Sequence, residues 1–136
     1  MSLNAYLTFG GTCRDAMNFY AECLGVELEM ISTFAGTPAE TYVPPEWRDK
    51  IMHASLRYGG VALMASDGMG PGDVTHGGFS VSVQATSIEE AERLFAALGA
   101  GGAVTMPLEE TFWAIRFGTL IDQFGVPWMV NLDRPM

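Results

Sequence analysis

The hydrophobic positions between residues 12 and 25 follow the period of an α-helix. Thr12 is the predicted N-cap, and Asp15 follows three residues later in the manner of a capping box. Gly25 supplies the predicted stop. The predicted buried face carries five residues at positions i, i+3, i+4, i+7 and i+11, namely Cys13, Ala16, Met17, Tyr20 and Leu24.

A second amphipathic helix is predicted to begin after Ser87 and to end before Gly99, with Glu90 three residues after the N-cap. At an offset of 75 residues, Thr12 aligns with Ser87 and Asp15 aligns with Glu90. Any two capped amphipathic helices resemble each other, so the segments around them must decide whether the chain is a repeat. The predicted buried stripe of this helix consists of Ile88, Ala91, Leu94, Phe95 and Leu98.

Strand patterns flank the two helices in the same order, which favours a repeat. One strand precedes each helix and three follow it, so both halves have the order β-α-β-β-β. We therefore predict an α+β fold of tandem βαβββ modules, forming a single domain over residues 1–136. Module one covers about 1–67, a junction loop 68–77, and module two about 78–136. The predicted strands are 5–9, 26–34, 51–58, 61–67, 78–84, 103–108, 112–120 and 126–133, with Gly59-Gly60 as a hairpin turn.

Composition and charge narrow the partners that this chain can have. The net charge of -9 repels phosphate backbones, so no nucleic-acid partner is expected. No apolar run approaches about 18 residues, so no membrane association is expected. Cys13 and Cys23 fall roughly 15 Å apart along one predicted helix, beyond disulfide reach. With no signal peptide pattern at the N-terminus, the expected location is cytoplasmic.

Three segments resemble the PhnB-type subfamily, often labelled 3-demethylubiquinone methyltransferase-like, of the vicinal oxygen chelate superfamily. They are YLTFGGTCRDAMNFYAECLG at 6–25, HASLRYGGVALMASD at 53–67 and ETFWAIRFGTLIDQFGVPWMVN at 110–131. The superfamily includes glyoxalase I, bleomycin-resistance proteins and extradiol dioxygenases. The resemblance implies cup-shaped mixed sheets with the helices on the outer face. It implies less about activity, because several chemistries share this scaffold.

In the metal-dependent members, side chains from the first and fourth strands of each module hold a divalent ion. By this resemblance, the four positions fall on Ala5 (or Tyr6, with one residue of slack), Met64, Gly78 and Met129. None of these supplies the imidazole or carboxylate that Zn²⁺, Ni²⁺, Mn²⁺ or Fe²⁺ prefers in such sites. The sequence therefore predicts no metal and no other cofactor.

The remaining candidates are the two histidines, one acid, and the aromatic and methionine residues of the strands. His53 alternates with apolar neighbours and would line the cup, although a hydrogen-bonded histidine without a role fits the same pattern. His53 and Glu110 are the candidate catalytic residues, and His76 lies in the junction. Tryptophan and methionine on strands are often core residues, but methionine also suits an adaptable apolar pocket. The predicted ligand-binding residues are His53, Met64, Trp113, Trp128, Met129 and Asn131.

Two hypotheses about function follow. The first is a metal-free binding protein that holds a small apolar or aromatic ligand in the cup. The alternative is an enzyme of the lyase, isomerase or dioxygenase-like kind that uses His53, His76 and Glu110, or no metal at all. Methyl transfer has little support, because the chain lacks the glycine-rich fingerprint of a nucleotide-binding βαβ unit. A homodimer is expected, because only 17% of residues are charged and sheet edges need cover.

Overall fold

The computed structural model describes residues 2–72 and 74–135. The chain divides into two compact units, residues 1–74 and 75–136. The boundary falls inside the predicted junction loop 68–77, of which residue 73 lies outside the described residues. Among the described residues, each unit contains one α-helix and one four-stranded mixed sheet.

Unit 1 has the strand order β1-β4-β3-β2. Strand β1 is parallel to β4, and the other two pairs are antiparallel. The long loop between β2 and β3 contains two 3₁₀ turns, Pro38–Tyr42 and Pro45–Trp47. The elements are β1 (Ala5–Thr8), α1 (Cys13–Leu24), β2 (Leu28–Thr33), β3 (Ile51–Tyr58) and β4 (Val61–Ser66).

Unit 2 repeats this topology with the order β5-β8-β7-β6. Its first and last strands, β5 and β8, are again the parallel pair. The elements are β5 (Val81–Gln84), α2 (Ile88–Gly99), β6 (Ala103–Glu109), β7 (Ala114–Ile121) and β8 (Pro127–Asp133). The predicted α+β class, the order βαβββ in each half, and the mixed sheets are confirmed.

Some predicted boundaries were wrong. Strand β5 begins at Val81, so Gly78 lies outside it, in a turn with a φ of 74°. Helix α2 ends at Gly99, with Ala100 as its C-cap, and Ile88 is 37% exposed and not part of the buried stripe of this helix. Within the described parts of the chain, neither helix is long and apolar enough to cross a membrane.

Thr12 is the N-cap residue of α1, as predicted, but the side chain that accepts the cap hydrogen bonds is that of Asp67. Thr12 makes no side-chain cap hydrogen bond. The buried Asp67 carboxylate instead accepts 2.9 Å hydrogen bonds from the backbone N–H groups of Gly11, Cys13 and Ile51. One side chain at the end of β4 therefore joins the start of α1 to the start of β3. In α2 the predicted cap is confirmed, because Ser87 Oγ accepts a hydrogen bond of 3.1 Å from Glu90 N.

Each helix packs on one face of its own sheet. On α1 the fully buried residues include Ala16, Met17 and Tyr20, and the facing strands contribute Ala54 and Leu56. On α2 they are Ala91, Leu94 and Leu98, which lie with Leu120 and Val130 in the core of unit 2. Gly118 faces α2, and a Cβ there would lie 2.7 Å from the Phe95 ring. Helix α2 and β7 can approach this closely because that position has no side chain.

Cys13 lies at the start of α1 and is completely buried. Burial raises the pKa of the Cys13 thiol from 9.0 to about 12. The negative charge of Asp67 contributes to this rise in the pKa, and the positive charge of Arg14 opposes it. The thiol is therefore protonated and unreactive in the folded protein at neutral pH.

We expect this thiol to make the free energy of unfolding fall as the pH rises from about 9 towards 12. In that window the unfolded thiol has lost its proton while the folded thiol retains it. Below pH 9 both states are protonated, so the stabilisation is fully present. Urea unfolding of the wild type and of Cys13→Ala, at neutral pH and at about pH 10, measures the effect. The difference in the free energy of unfolding between the wild type and Cys13→Ala should decrease by up to about 1.4 kcal/mol per pH unit. A difference that stays constant with pH would contradict the buried-thiol account.

Candidate functional site

The face of the unit 1 sheet that does not pack on α1 is called here its open face. A row of four residues crosses this face, one from each strand. Met30 of β2 pairs with Ser55 of β3, Ser55 pairs with Met64 of β4, and Met64 pairs with Tyr6 of β1. Paired residues of neighbouring strands project to the same side, so these four side chains share the open face.

The open face of unit 2, opposite α2, carries the same kind of row. Met106 of β6 pairs with Thr119 of β7, Thr119 pairs with Met129 of β8, and Met129 pairs with Ser82 of β5. Both rows therefore consist of a methionine, an aliphatic hydroxyl, a second methionine and a further hydroxyl group. We call them the methionine rows.

Resemblance to the superfamily assigned four residues to the positions of its metal ligands. The strand pairing corrects two of these four assignments. Met64 pairs with Tyr6 and not with Ala5, as one residue of slack allowed. Met129 pairs with Ser82, while Gly78 precedes the strand. The corrected set is Tyr6, Met64, Ser82 and Met129. Two thioethers, a phenol and an aliphatic hydroxyl do not form the nitrogen and carboxylate set that the divalent ions of this fold prefer.

Within the residues that the structure describes, no three side chains of His, Cys, Asp and Glu come together as a ligand set. Glu110 is an exposed residue in an ion pair, with Arg134 Nη2 donating to its Oε2 at 2.6 Å. The hydrogen bond and charge of Arg134 lower the pKa of Glu110, which makes its carboxylate a weak base. His76 lies against Phe79, with ring centroids 6.1 Å apart.

His53 lies on the open face of unit 1, as predicted from the alternation along β3. Its Nδ1 and the Tyr6 hydroxyl are hydrogen-bonded at 3.1 Å, and the two rings are 5.7 Å apart. Tyr6 is 50% exposed. The pair thus presents two groups capable of proton transfer beside Met64, and which of them donates depends on the histidine tautomer.

An aromatic cluster occupies the corresponding part of unit 2. Phe117 precedes Thr119 by two residues, as His53 precedes Ser55, so it holds the repeat position of His53. The Trp113 ring lies 5.4 Å from the Phe117 ring and 4.8 Å from the Phe112 ring, both in edge-to-face geometry. Trp113 is 46% exposed. The predicted ligand-binding set included Trp113 and left out Phe117, although the alignment of the two modules places Phe117 at the position of His53.

Trp128 is corrected from a predicted ligand contact to a core residue. It is 1% exposed and pairs with Leu120 on the face that packs against α2. Its Nε1 donates a 2.8 Å hydrogen bond to Asp122 Oδ2, whose other oxygen accepts from the backbone of Phe124 and Val126. Trp128 and Met129 are consecutive in a strand, so they cannot both project from the open face.

Asn131 projects from the open face of unit 2, between Phe117 and Gln84 of the neighbouring strands. It is 8% exposed. Its Nδ2 donates to Gln84 Oε1 at 3.0 Å and to Asp133 Oδ1 at 2.5 Å. Its Oδ1 is buried and has no hydrogen-bond partner among the described residues.

A cleft of about 180 Å³ lies at the start of α1 and not on the open face. The cleft is lined by side chains of both charges. One of these, Lys50, donates a hydrogen bond from its Nζ to the Gly11 carbonyl. Asp67 closes its base with the three hydrogen bonds that cap α1. The cleft is lined by Gly11, Arg14, Asp15, Asp49, Lys50, Ile51 and Asp67.

Two βαβββ units with one open sheet face each form the fold of the glyoxalase/bleomycin resistance/dioxygenase proteins. A structure entitled glyoxylase/bleomycin resistance protein/dioxygenase domain, from Frankia sp. EAN1pec, matches with a TM-score of 0.67 at 19% identity. It covers 98% of this chain and 92% of that chain, and at this identity it shows the fold alone. The chain belongs to the 3-demethylubiquinone-9 3-methyltransferase family, whose model matches residues 2–131.

Three relatives support the PhnB-type resemblance over nearly the whole chain. Protein YjdN of Escherichia coli K12 is 38% identical over 142 residues, which span 98% of this chain and 97% of that protein. Protein PA1353 from Pseudomonas aeruginosa is 44% identical with a TM-score of 0.86, and 99% of each chain is covered. A putative 3-demethylubiquinone-9 3-methyltransferase, PhnB protein, from Bacillus cereus is 27% identical with a TM-score of 0.81, covering 97% of this chain and 99% of that one.

Proposed function

We propose that the protein binds a small apolar or aromatic molecule on its open faces without the help of a metal ion. The observation that carries this proposal is the pair of methionine rows. Each row puts a thioether at the position where metal-dependent relatives would be expected to place a ligand, and each repeats the same order of residue types. Methionine is flexible and polarizable, so it suits an apolar surface that adapts to a ligand.

The aromatic cluster of unit 2 supports the same proposal. Trp113 is about half exposed and Phe112 is almost fully exposed, although both are large apolar side chains. Exposed rings in edge-to-face contact offer a surface on which a planar ligand packs favourably. Isolated apolar residues on a surface need no explanation, but these rings form a contiguous group that includes Phe117, two residues before Thr119 in β7, and such a group is typical of a binding site.

The description of the family names a methyltransferase, and the support for methyl transfer in this chain is weak. The sequence lacks the glycine-rich βαβ fingerprint that binds a nucleotide-derived methyl donor in many such enzymes. The proposal therefore rests on the open faces and not on the family description.

The alternative is an enzyme that uses the Tyr6–His53 pair for proton transfer. The 3.1 Å hydrogen bond between these two open-face groups is the observation that favours it. The two functions are distinguished by mass analysis of the compound that copurifies with the protein. A single unmodified compound supports binding, whereas a substrate and product pair whose ratio changes in His53→Gln supports the enzyme.

The exposed apolar surface also supports a homodimer, which belongs to this proposal. Strand β6 is an edge strand with both faces exposed, including Val104 and Met106. Such edges pair with other chains unless they are covered. Sedimentation at micromolar concentration should give a species of about 29 kDa, twice the chain mass of 14.7 kDa. Sedimentation at the mass of one chain would contradict the dimer.

The binding proposal predicts that Met129→Ala weakens the binding of 1-methoxynaphthalene by about 1–2 kcal/mol, because a half-buried thioether contact is lost. Isothermal titration measures the affinity. In methyl-labelled protein, the Met106 and Met129 signals should shift on addition of the probe, while that of the fully buried Met17 should not.

The matched control is Met69→Ala, which removes an exposed methionine outside both sheets and should leave the affinity unchanged. If Met129→Ala leaves the affinity for the probe unchanged while its free energy of unfolding falls by about 2–5 kcal/mol, Met129 is a core residue and not part of a binding surface.

A further inference from the structure

We infer that the ligand of unit 2 is an aromatic molecule with an N–H or O–H group, and that Asn131 Oδ1 accepts a hydrogen bond from that group. This inference rests on the proposed function and names the chemistry that the site recognises. It begins from the buried carbonyl oxygen of Asn131, which has no partner among the described residues.

The orientation of the Asn131 amide is fixed by its neighbours. The carboxylate of Asp133 can only accept a hydrogen bond when ionised, so the atom 2.5 Å from its Oδ1 must be the amide nitrogen. Gln84 Oε1 accepts the other N–H at 3.0 Å. Exchanging the two ends of the amide would place an oxygen against the Asp133 carboxylate. The unpartnered atom is therefore an acceptor, and only a donor can satisfy it.

A buried acceptor without a donor destabilises the folded state, since water solvates the same group in the unfolded chain. Asn131 is more than nine-tenths buried, yet it lies on the open face and not on the face that packs against α2. Both acceptors of its N–H groups, Gln84 and Asp133, are exposed residues. The unsatisfied oxygen thus belongs to a polar group held at the edge of the proposed binding surface.

The neighbours of Asn131 indicate the rest of the ligand. Phe117 pairs with Asn131 across β7 and β8, and the Trp113 ring packs against Phe117. A planar ligand that packs on Trp113 and shifts the Phe117 ring brings a donor group within reach of Oδ1. A site with one fixed acceptor beside apolar rings discriminates against an analogue that lacks the donor.

The experiment compares 1-naphthol with 1-methoxynaphthalene, which share a ring system and differ in the hydroxyl donor. Isothermal titration should show that the wild type binds 1-naphthol about tenfold more tightly. Asn131→Leu should remove this preference. Ser66→Ala should retain it, because Ser66 occupies the repeat position of Asn131 in unit 1. Should Asn131→Leu fail to fold, the side-chain carbonyl signal of Asn131 in the wild type gives the answer, since only 1-naphthol should shift it.

Equal affinity of the wild type for the two probes would overturn the inference and leave the proposed function standing. A preference that survives in Asn131→Leu, or a carbonyl signal that responds to both probes alike, would also overturn it. If neither probe binds, the proposed function fails for aromatic ligands, and this inference fails with it.

Discussion

The packing of one face of each sheet against a single helix determines what the other face can do. Successive residues of a strand alternate between the two faces of the sheet. When one residue lies in the core, the next residue of the same strand therefore lies on the open face. Trp128 is in the core, and Met129 is therefore on the open face. The same alternation puts Ala54 and Leu56 under α1 and leaves His53 and Ser55 outside.

The parallel pairing of the first and last strands sets which open-face residues are neighbours. Tyr6 lies beside Met64, and Ser82 lies beside Met129. Each unit also has a buried carboxylate that satisfies several backbone groups around an irregular segment. Asp67 accepts from residues at the starts of α1 and β3, and Asp122 accepts from the turn before β8 and from the Trp128 indole. These hydrogen bonds hold the starts of β3 and β8 in place, and both strands carry residues of the methionine rows.

The sequence predicted the element order and most strand positions because hydrophobic period and glycine turns are local signals. It did not reveal that Trp128 is in the core, because the QFGVPWMVN segment has apolar residues on both faces and alternation alone cannot assign them. It predicted Thr12 as the N-cap residue but not the side chain that accepts the cap hydrogen bonds, because Asp67 is far away in sequence. Gly78 was assigned as a ligand position in the strand predicted over residues 78–84, whereas the pairing with β8 begins at Val81. The unpartnered oxygen of Asn131 depends on three side chains and has no sequence signature.

The central claim is that the open faces bind organic ligands with thioether, hydroxyl and aromatic groups and not through a divalent ion. Elemental analysis of untagged protein, combined with melting curves with and without EDTA, tests it most directly. An ion that binds only the folded state, at about 1,000 times its dissociation constant, stabilises the fold by about 4 kcal/mol. The account predicts substoichiometric metal and a melting temperature that EDTA does not change. Stoichiometric metal together with a lower melting temperature in EDTA would contradict it.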